Sequence, residues 1–441
     1  MNGTSVFAQG LIVLGCISIG VRMRGIAIGL WGFIGVFLLS TFFHLPPGNI
    51  PISAIGIIFT VVIAASAMFG AGGMDYLVGI AQRILKKHPR YITFLAPLFS
   101  YLFTIGAGTG NVYYSLLPVI EEISFRNKIR PERPLAIAPV ASQLGITSSP
   151  VSSAMAIMIG LMEPYGFSLF KILLIVIPST LIAILITAWI QNYRGEDIDF
   201  KKLNSLKGLK KKGAKAVKKT VSPQAKQSVF IFLSGVMVIV FLSAFSQFRP
   251  QIFEADSSRL TSMGMSHLIM LIMSIVSILI LLITKTTPSE VSKTNLFRSG
   301  MISILALFGI AWMANTFISG NEAYLISHLE NLAKTNLIFF ALAIFIMAAL
   351  TTSQSSTTLV LIPIGLTLGI EPAYLVAMWM ALIGIYFFPA NGSQIATIEF
   401  DRSKTVQIGR WVVNHSFMIP MLISAVISVF CGFLIAYFLM T

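Results

Sequence analysis

Charge is scarce in this chain. Asp, Glu, Lys and Arg make up only 11% of its 441 residues, against roughly a quarter in a soluble domain. Most of the surface must therefore face something other than water. Cysteine is nearly absent: Cys16 and Cys431 both lie inside apolar runs, which excludes a disulfide framework and a thiolate metal site. They act as small hydrophobes. His44, His88, His267, His328 and His415 fall in or near loops or run ends, with no metal-ligand spacing. HExxH and GxSxG motifs are missing, as is an acid–base pair at membrane depth, so nothing points to an enzyme. No Lys or Arg precedes Arg22, so the first apolar run lacks the basic segment of a cleavable signal and reads as a retained span.

What the chain has instead is apolar length. Hydrophobic residues reach 56% and the mean hydropathy is +0.86. Runs at 6–21, 25–43, 172–190, 229–245, 268–283 and 417–439 approach the roughly 20 residues that cross a bilayer core as helix. The net charge of +15 sits in loops between these runs, which argues for membrane topology and against nucleic acid as a partner.

Lys- and Arg-rich loops belong on the cytoplasmic side. With the N-terminus outside, Arg22 and Arg24 are inside, the turn at Pro46, Pro47 and Gly48 is outside, and a third span over 51–70 returns. Residues 75–85 then read as an amphipathic interfacial helix leading to Lys86, Lys87 and Arg90. Segment 91–120 is apolar but is followed by Arg126, Lys128, Arg130 and Arg133. A single crossing would put that cluster on the wrong side. Its middle, 106–111, is rich in Gly, where a continuous helix is weakest. It therefore reads as a re-entrant hairpin.

Segment 135–161 crosses outward with an interruption at 145–150, and 172–190 returns to a linker at 194–227. Ten lysines make that linker a solvated cytoplasmic segment, with anionic lipid headgroups as a second reading. Spans 229–245, 268–283 and 296–318 follow, the last leading to the Glu322, His328 and Glu330 region. Segment 337–370, broken at 351–356, is a second hairpin from the opposite face; 373–398, broken at 389–393, is a second interrupted crossing. A final span leaves the C-terminus outside. Of the 31 Lys and Arg residues, only Lys171, Arg249, Arg259 and Lys334 fall outside in this scheme. The fold class is thus an all-α polytopic membrane protein with an inverted-topology repeat, halves 1–193 and 228–441, two re-entrant hairpins and two broken transmembrane helices.

Three ordered matches support the repeat: 111–118 with 356–363, 129–131 with 370–372, and 148–150 with 387–389. Inverted repeats with discontinuous helices meeting at the midplane are a common design of secondary transporters.

Broken helices are costly in lipid and persist where protein or a wet cavity covers them. Each break exposes a half-helix N-terminus with roughly +0.5 charge and free N–H groups, which bind carboxylates. The candidate substrate-binding residues are Gly108, Thr109, Gly110, Asn111, Thr147, Ser148, Ser149, Ser353, Gln354, Ser355, Ser356, Asn391, Gly392 and Ser393. No Lys or Arg stands in any of the four breaks, so a small anion would be held by dipoles and neutral hydrogen bonds. The half-helix C-termini offer free carbonyls to Na⁺ as the alternative. Asp75 and Glu399 are the acids closest to membrane depth, and both read as interfacial. The GxxxG spacing of Gly25 and Gly29 reads as helix packing.

The residues at 72–77, 107–111, 117–118, 130–134, 143–152, 177–181, 297–301, 309–312, 400–403, 408–410 and 414–417 together resemble the anaerobic four-carbon dicarboxylate transporter (Dcu) family over nearly the whole chain. The resemblance implies exchange, uptake or efflux of fumarate, succinate, malate or aspartate across a bacterial inner membrane. It also implies an elevator-like transport domain of the two hairpins and two broken helices, a scaffold of the other spans, and a homodimer in the lipid bilayer. No cofactor is implied, and coupling to Na⁺ or H⁺ stays open. Two passages depart from the family. Ser353, Gln354, Ser355 and Ser356 stand where it usually reads Ser-Gln-Ala-Ala, and Pro389, Ala390, Asn391 and Gly392 where it usually reads Pro-Thr-Tyr-Pro. Both fall in the candidate site. An amino-dicarboxylate or another small organic anion, or a Na⁺/H⁺ antiporter of the wider ion-transporter superfamily, are the alternatives.

Overall fold

The computed structural model describes residues 3–23, 25–50, 52–196, 222–253, 260–335, 337–389, 391–408 and 414–440. Most of the Lys-rich linker, Arg24, Arg259, Ala390 and Arg410 lie outside the described residues, as do the side chains of Glu322, His328, Glu330 and Lys334.

The chain is almost wholly helical. The first half runs α1 (Gly3–Met23), α2 (Ala27–Phe43), α3 (Ile52–Gly70), α4 (Gly73–Lys87), α5 (Ile92–Ala107), α6 (Tyr113–Arg126), α7 (Glu132–Thr147), α8 (Ser153–Met162) and α9 (Leu169–Asn192). The second runs α10 (Pro223–Ala244), α11 (Met265–Thr284), α12 (Pro288–Ser292), α13 (Asn295–Thr335), α14 (Leu337–Thr351), α15 (Gln354–Thr367), α16 (Pro372–Trp379), a 3₁₀ stretch Met380–Tyr386, α17 (Gly392–Phe400) and α18 (Met418–Met440). Among the described residues six helices are long and apolar enough to cross a membrane: Ile52–Gly70, Leu169–Asn192, Pro223–Ala244, Met265–Thr284, Asn295–Asn321 and Met418–Met440. The protein is an all-α polytopic membrane protein, and its helices are interrupted at the four places where Gly, Ser, Thr and Asn cluster.

Two bundles form, each drawing helices from both halves. One packs α1–α4 with α10–α13. Its tightest contact is between α2 and α13, where a Cβ on Gly32 would stand 2.2 Å from the backbone of Gly309, and one on Gly309 1.9 Å from the carbonyl of Gly29. Small residues let backbones approach this closely where lipid supplies no hydrophobic drive. Gly25 takes no part: it sits in the turn before α2 at φ +59° with open space around it, so the packing pair is Gly29 and Gly32. Phe33 meets Phe308 edge-on at 5.1 Å beside this seam.

The other bundle packs α5, α7 and α9 with α14, α16 and α18. Its core holds the fully buried Trp379, Tyr101, Tyr113 and Tyr386. Buried hydroxyls pair inside it: Tyr101 with Thr180 at 2.7 Å and Thr187 with Ser424 at 3.1 Å. In an apolar bundle these bonds stabilise the packing, because an unpaired buried hydroxyl costs about 1–3 kcal/mol. The short helices α8 and α15 lie on the seam between the bundles, against α3 and α13 respectively.

Two features differ from the sequence reading. The span placed over 296–318 does not stop there: α13 runs unbroken for 41 residues, from Asn295 to Thr335. No Pro follows Ile318 in that stretch, and Gly320 alone is too weak a breaker to end a helix. Between α10 and α11 a two-stranded antiparallel ribbon pairs Gln251–Phe253 with Leu260–Ser262, built from β-favouring Ile252, Phe253 and Thr261.

Candidate functional site

Each of the four breaks starts a new helix with a short polar side chain at the N-cap. Thr109 accepts from the Asn111 amide at the start of the 3₁₀ turn Gly110–Val112, which runs directly into α6. Ser152 accepts from Met155 before α8. Ser353 accepts from Ser356 before α15, and Asn391 from Ser393 before α17. Gln394 closes a capping box at the last of these, its Oε1 accepting from the Asn391 amide at 3.2 Å. One cap satisfies one of the four orphan donors at a helix start. The other first-turn N–H groups keep their partial positive charge.

The breaks are brought together. Gly108, at φ +70°, lies so close to the second break that a Cβ there would stand 2.5 Å from the carbonyl oxygen of Val151. Ser149 donates to Ile105 O at 2.7 Å, tying the same two breaks. Ser153 and Ser355 hydroxyls meet at 3.0 Å and join the second to the third. Gln354 Nε2 donates to Gln143 O at 3.0 Å, linking α15 to α7. The fourth break reaches the first through Tyr113, whose hydroxyl lies 2.8 Å from Thr397 Oγ1. A Cβ on Gly392 would lie 2.7 Å from the Tyr114 hydroxyl.

Beside this junction a cavity of about 130 Å³ opens on the seam between the bundles, roughly ten times what one water needs. Gly108, Thr109, Asn111 and Ser153 line one side; Ser299, Gly300 and Ser303 of α13 face them, with Ile58, Val61 and Ala65 of α3 closing the apolar wall. No charged side chain is among its lining residues. The candidate residues thus divide. Gly108, Thr109 and Asn111 line the cavity, and Ser355 touches its Ser153. Gly110 packs against Gln143. Ser353 and Ser356 bond to each other at 2.9 Å, and Ser393 to Asn391 and Tyr386. Thr147 and Ser148 point away: Thr147 donates to Leu144 O, and Ser148 pairs with Tyr101 and Thr180.

Ser153, Ser299 and Ser303 were missed by reasoning from the breaks alone. Ser153 sits one residue past a cap, and the other two stand on an unbroken helix, where Ser usually bonds its own backbone. Asp75 and Glu399 are exposed, away from this cavity. Charge appears at one end of the bundle instead. There the buried Glu121 takes a two-pronged bond from Arg402, at 2.9 and 2.7 Å, and the buried Glu132 accepts from Arg130 at 2.7 Å and Ser416 at 2.7 Å.

A family profile described as anaerobic C4-dicarboxylate membrane transporter matches residues 5–440. The chain is 35% identical to the anaerobic C4-dicarboxylate transporter DcuB of Escherichia coli O6:H1 over 441 residues, covering 97% of this chain and 98% of that one. It is 36% identical to the C4-dicarboxylate transporter DcuA of Helicobacter pylori 26695 over 440 residues, covering 98% of both. DcuA of Wolinella succinogenes is 35% identical over 429 residues, with 97% and 98% covered. In fold the chain is similar to the Alcanivorax borkumensis YdaH transporter, with a TM-score of 0.52 at 14% identity over 91% of this chain and 88% of that one. Neisseria gonorrhoeae MtrF gives the same score at 14% identity over 90% and 83%. These curated relatives are membrane transporters, not enzymes, and this chain belongs to the anaerobic C4-dicarboxylate membrane transporter family.

Proposed function

We propose that the chain is a secondary active transporter that exchanges C4-dicarboxylates, with fumarate, succinate, malate and aspartate as its candidate substrates. The dianion sits at the seam cavity. Its carboxylates face the starts of α6, α8 and α15, and the neutral side chains of Asn111, Ser153, Ser299 and Ser303 complete the shell, the last two hydroxyls turning to it from the carbonyls of Leu296 and Ser299 that they otherwise bond. A carboxylate near a helix N-terminus gains about 0.3–1 kcal/mol, rising to about 2 when partly buried. Several such terms bind a dianion without a buried cation, and weakly enough to release it.

The observation that carries this reading is the meeting of breaks from both halves, Ser153 against Ser355, beside a cavity with no charged lining. A cavity on the seam also suits an elevator-like movement. The bundle of α5–α9 and α14–α18 would carry the site past the bundle of α1–α4 and α10–α13, exposing it to each face in turn. Segments 91–120 and 337–370 are then re-entrant hairpins of an inverted repeat, with both chain termini periplasmic in a bacterial inner membrane and two copies forming a homodimer.

A counterflow panel tests the substrate. Proteoliposomes preloaded with fumarate, succinate, malate, aspartate or a monocarboxylate should take up labelled dicarboxylate only against the dicarboxylates. Equal exchange with the monocarboxylate would sink the reading. The same panel with and without Na⁺ decides coupling.

A further inference from the structure

Among the histidines whose side chains are described, His415 alone is buried, at 3% exposure; His44, His88 and His267 are exposed. Its Nε2 lies 2.9 Å from the carbonyl oxygen of Phe387. That carbonyl closes the 3₁₀ stretch Met380–Tyr386 and opens the fourth break, so it has no helical N–H to accept from. A carbonyl only accepts, so Nε2 carries the proton and donates. In the neutral ring Nδ1 is then a bare acceptor, and it has no partner among the described residues.

A neutral imidazole tolerates that arrangement. An imidazolium does not, because its second N–H would be buried with nothing among the described residues to receive it. The charged neighbours among the described residues give no relief. Arg194, at the end of α9, donates to Ser416 O at 2.9 Å and so brings a like charge. Glu132, at the start of α7, is already engaged by Arg130, Arg194 and Ser416. The carboxylate of Asp401 is taken by Ser403, Thr405 and Val406. The Phe417 ring covers the imidazole, with centroids 5.9 Å apart. Burial pushes the His415 ring below its ordinary pKa, the bond to Phe387 pulls it back up, and Arg194 lowers it again.

We infer that His415 is a proton-responsive positioning residue: its neutral ring pins the Phe387 carbonyl and thereby the fourth break, and protonation at Nδ1 releases that break. The inference rests on the fourth break being part of the substrate site. The sign follows from the depressed pKa. This conformation holds where the ring is neutral. It loses ground, as pH falls below about 6.5, to any conformation that gives Nδ1 water or an acceptor. Acid on the face carrying Arg194 and Arg402 therefore slows or redirects the exchange cycle.

The test is dicarboxylate exchange in proteoliposomes between about pH 5.5 and 8 for the wild type, His415→Gln and His415→Ala. Gln keeps a neutral donor for Phe387 but cannot take a proton. The wild type should lose about fivefold or more of its rate on acidification, and His415→Gln should keep at least about half the wild-type rate at pH 7.5 with the acid loss gone. His415→Ala should fall about tenfold throughout, the effect of one lost buried bond of about 1.4 kcal/mol. An unchanged acid limb in His415→Gln overturns the inference. Nitrogen NMR on a variant with His44, His88, His267 and His328 replaced by Gln decides independently. An Nε2–H tautomer titrating below about pH 6.5 supports it, and an Nδ1–H tautomer or a midpoint at or above that value overturns it. Should the wild type exchange no dicarboxylate at pH 7.5, the functional proposal fails while the NMR result still stands on its own.

Discussion

The hydroxyl of Ser153 lies 3.0 Å from that of Ser355, and this contact joins the first turn of α8 to the first turn of α15. The two residues come from opposite halves of the chain. Each belongs to a helix that starts beside the seam cavity, so the bond brings two partial positive charges toward one point. Two helix N-termini facing each other repel unless an anion or a polar bridge stands between them. The serine pair is such a bridge.

An alanine at position 355 could not make this bond. Ser355→Ala should leave the protein folded, with a stability change within about 1 kcal/mol. The counterflow panel should shift its ranking of substrates, because Ser153 is then free to donate to ligand. Ser355→Val adds bulk beside the cavity and should cut exchange about tenfold or more. A ranking identical to wild type in Ser355→Ala would remove the serine pair from the site.

Gly108 separates backbone strain from packing. Ala at φ +70° costs about 1–2 kcal/mol, and its Cβ would meet Val151 O at 2.5 Å, forcing the first and second breaks apart. Gly108→Ala should abolish exchange and lower the melting temperature in detergent by several degrees. Gly106→Ala is the control: its nearest neighbour is Leu233 at 3.4 Å, an ordinary contact, and its transport should stay within about twofold of wild type. Equal behaviour of the two variants would show that the close approach of the breaks is dispensable.

The breaks were legible in the sequence because Gly, Pro, Ser and Asn clusters cannot hide in a stretch as apolar as 91–120 or 337–370. The bundle arrangement was not. Whether Gly29 meets Gly32's neighbour on α13 or a second copy of the chain depends on long-range packing that no local pattern encodes. Thr147 and Ser148 illustrate the same limit. Their place in a break predicts exposure to ligand, yet the turn of α7 that carries them faces Tyr101 and Thr180. Ser299 and Ser303 show the converse, since an unbroken helix gives no signal that one of its faces lines a cavity.

Arg402 and Glu121 fasten the loop after α17 to α6, and Glu121 is only 4% exposed. Breaking a buried ion pair by removing one partner costs about 3–5 kcal/mol, whereas replacing both partners is often close to neutral. Arg402→Gln alone should therefore destabilise the protein strongly. The double variant Arg402→Gln with Glu121→Gln should recover most of the loss, read as melting temperature in detergent. If the double variant is no better than the single one, the arginine acts through Glu122, which accepts from it at 3.2 Å, or through the Phe125 ring it covers at 4.9 Å.

The hairpin proposed for 91–120 makes a prediction about sidedness that does not depend on transport. Helix α5 has 16 residues and α6 has 14, about 24 and 21 Å at 1.5 Å per residue, and each falls short of the roughly 30 Å core. If both dip in and return, the residues flanking them share a face. Lys87 and Arg126 are exposed and flank the pair on either side. Tyr165, also exposed, follows α8 and should lie across the membrane from them. Cysteines placed singly at the three positions, in a chain with Cys16 and Cys431 replaced by Ser, should react with a membrane-impermeant maleimide accordingly: positions 87 and 126 from one face, 165 from the other. Labelling of 87 and 126 from opposite faces would make α5 and α6 a single crossing. The Gly-rich break at 108 would then be a kink in a span, with its half-helix N-terminus no longer aimed from within a folded-back hairpin.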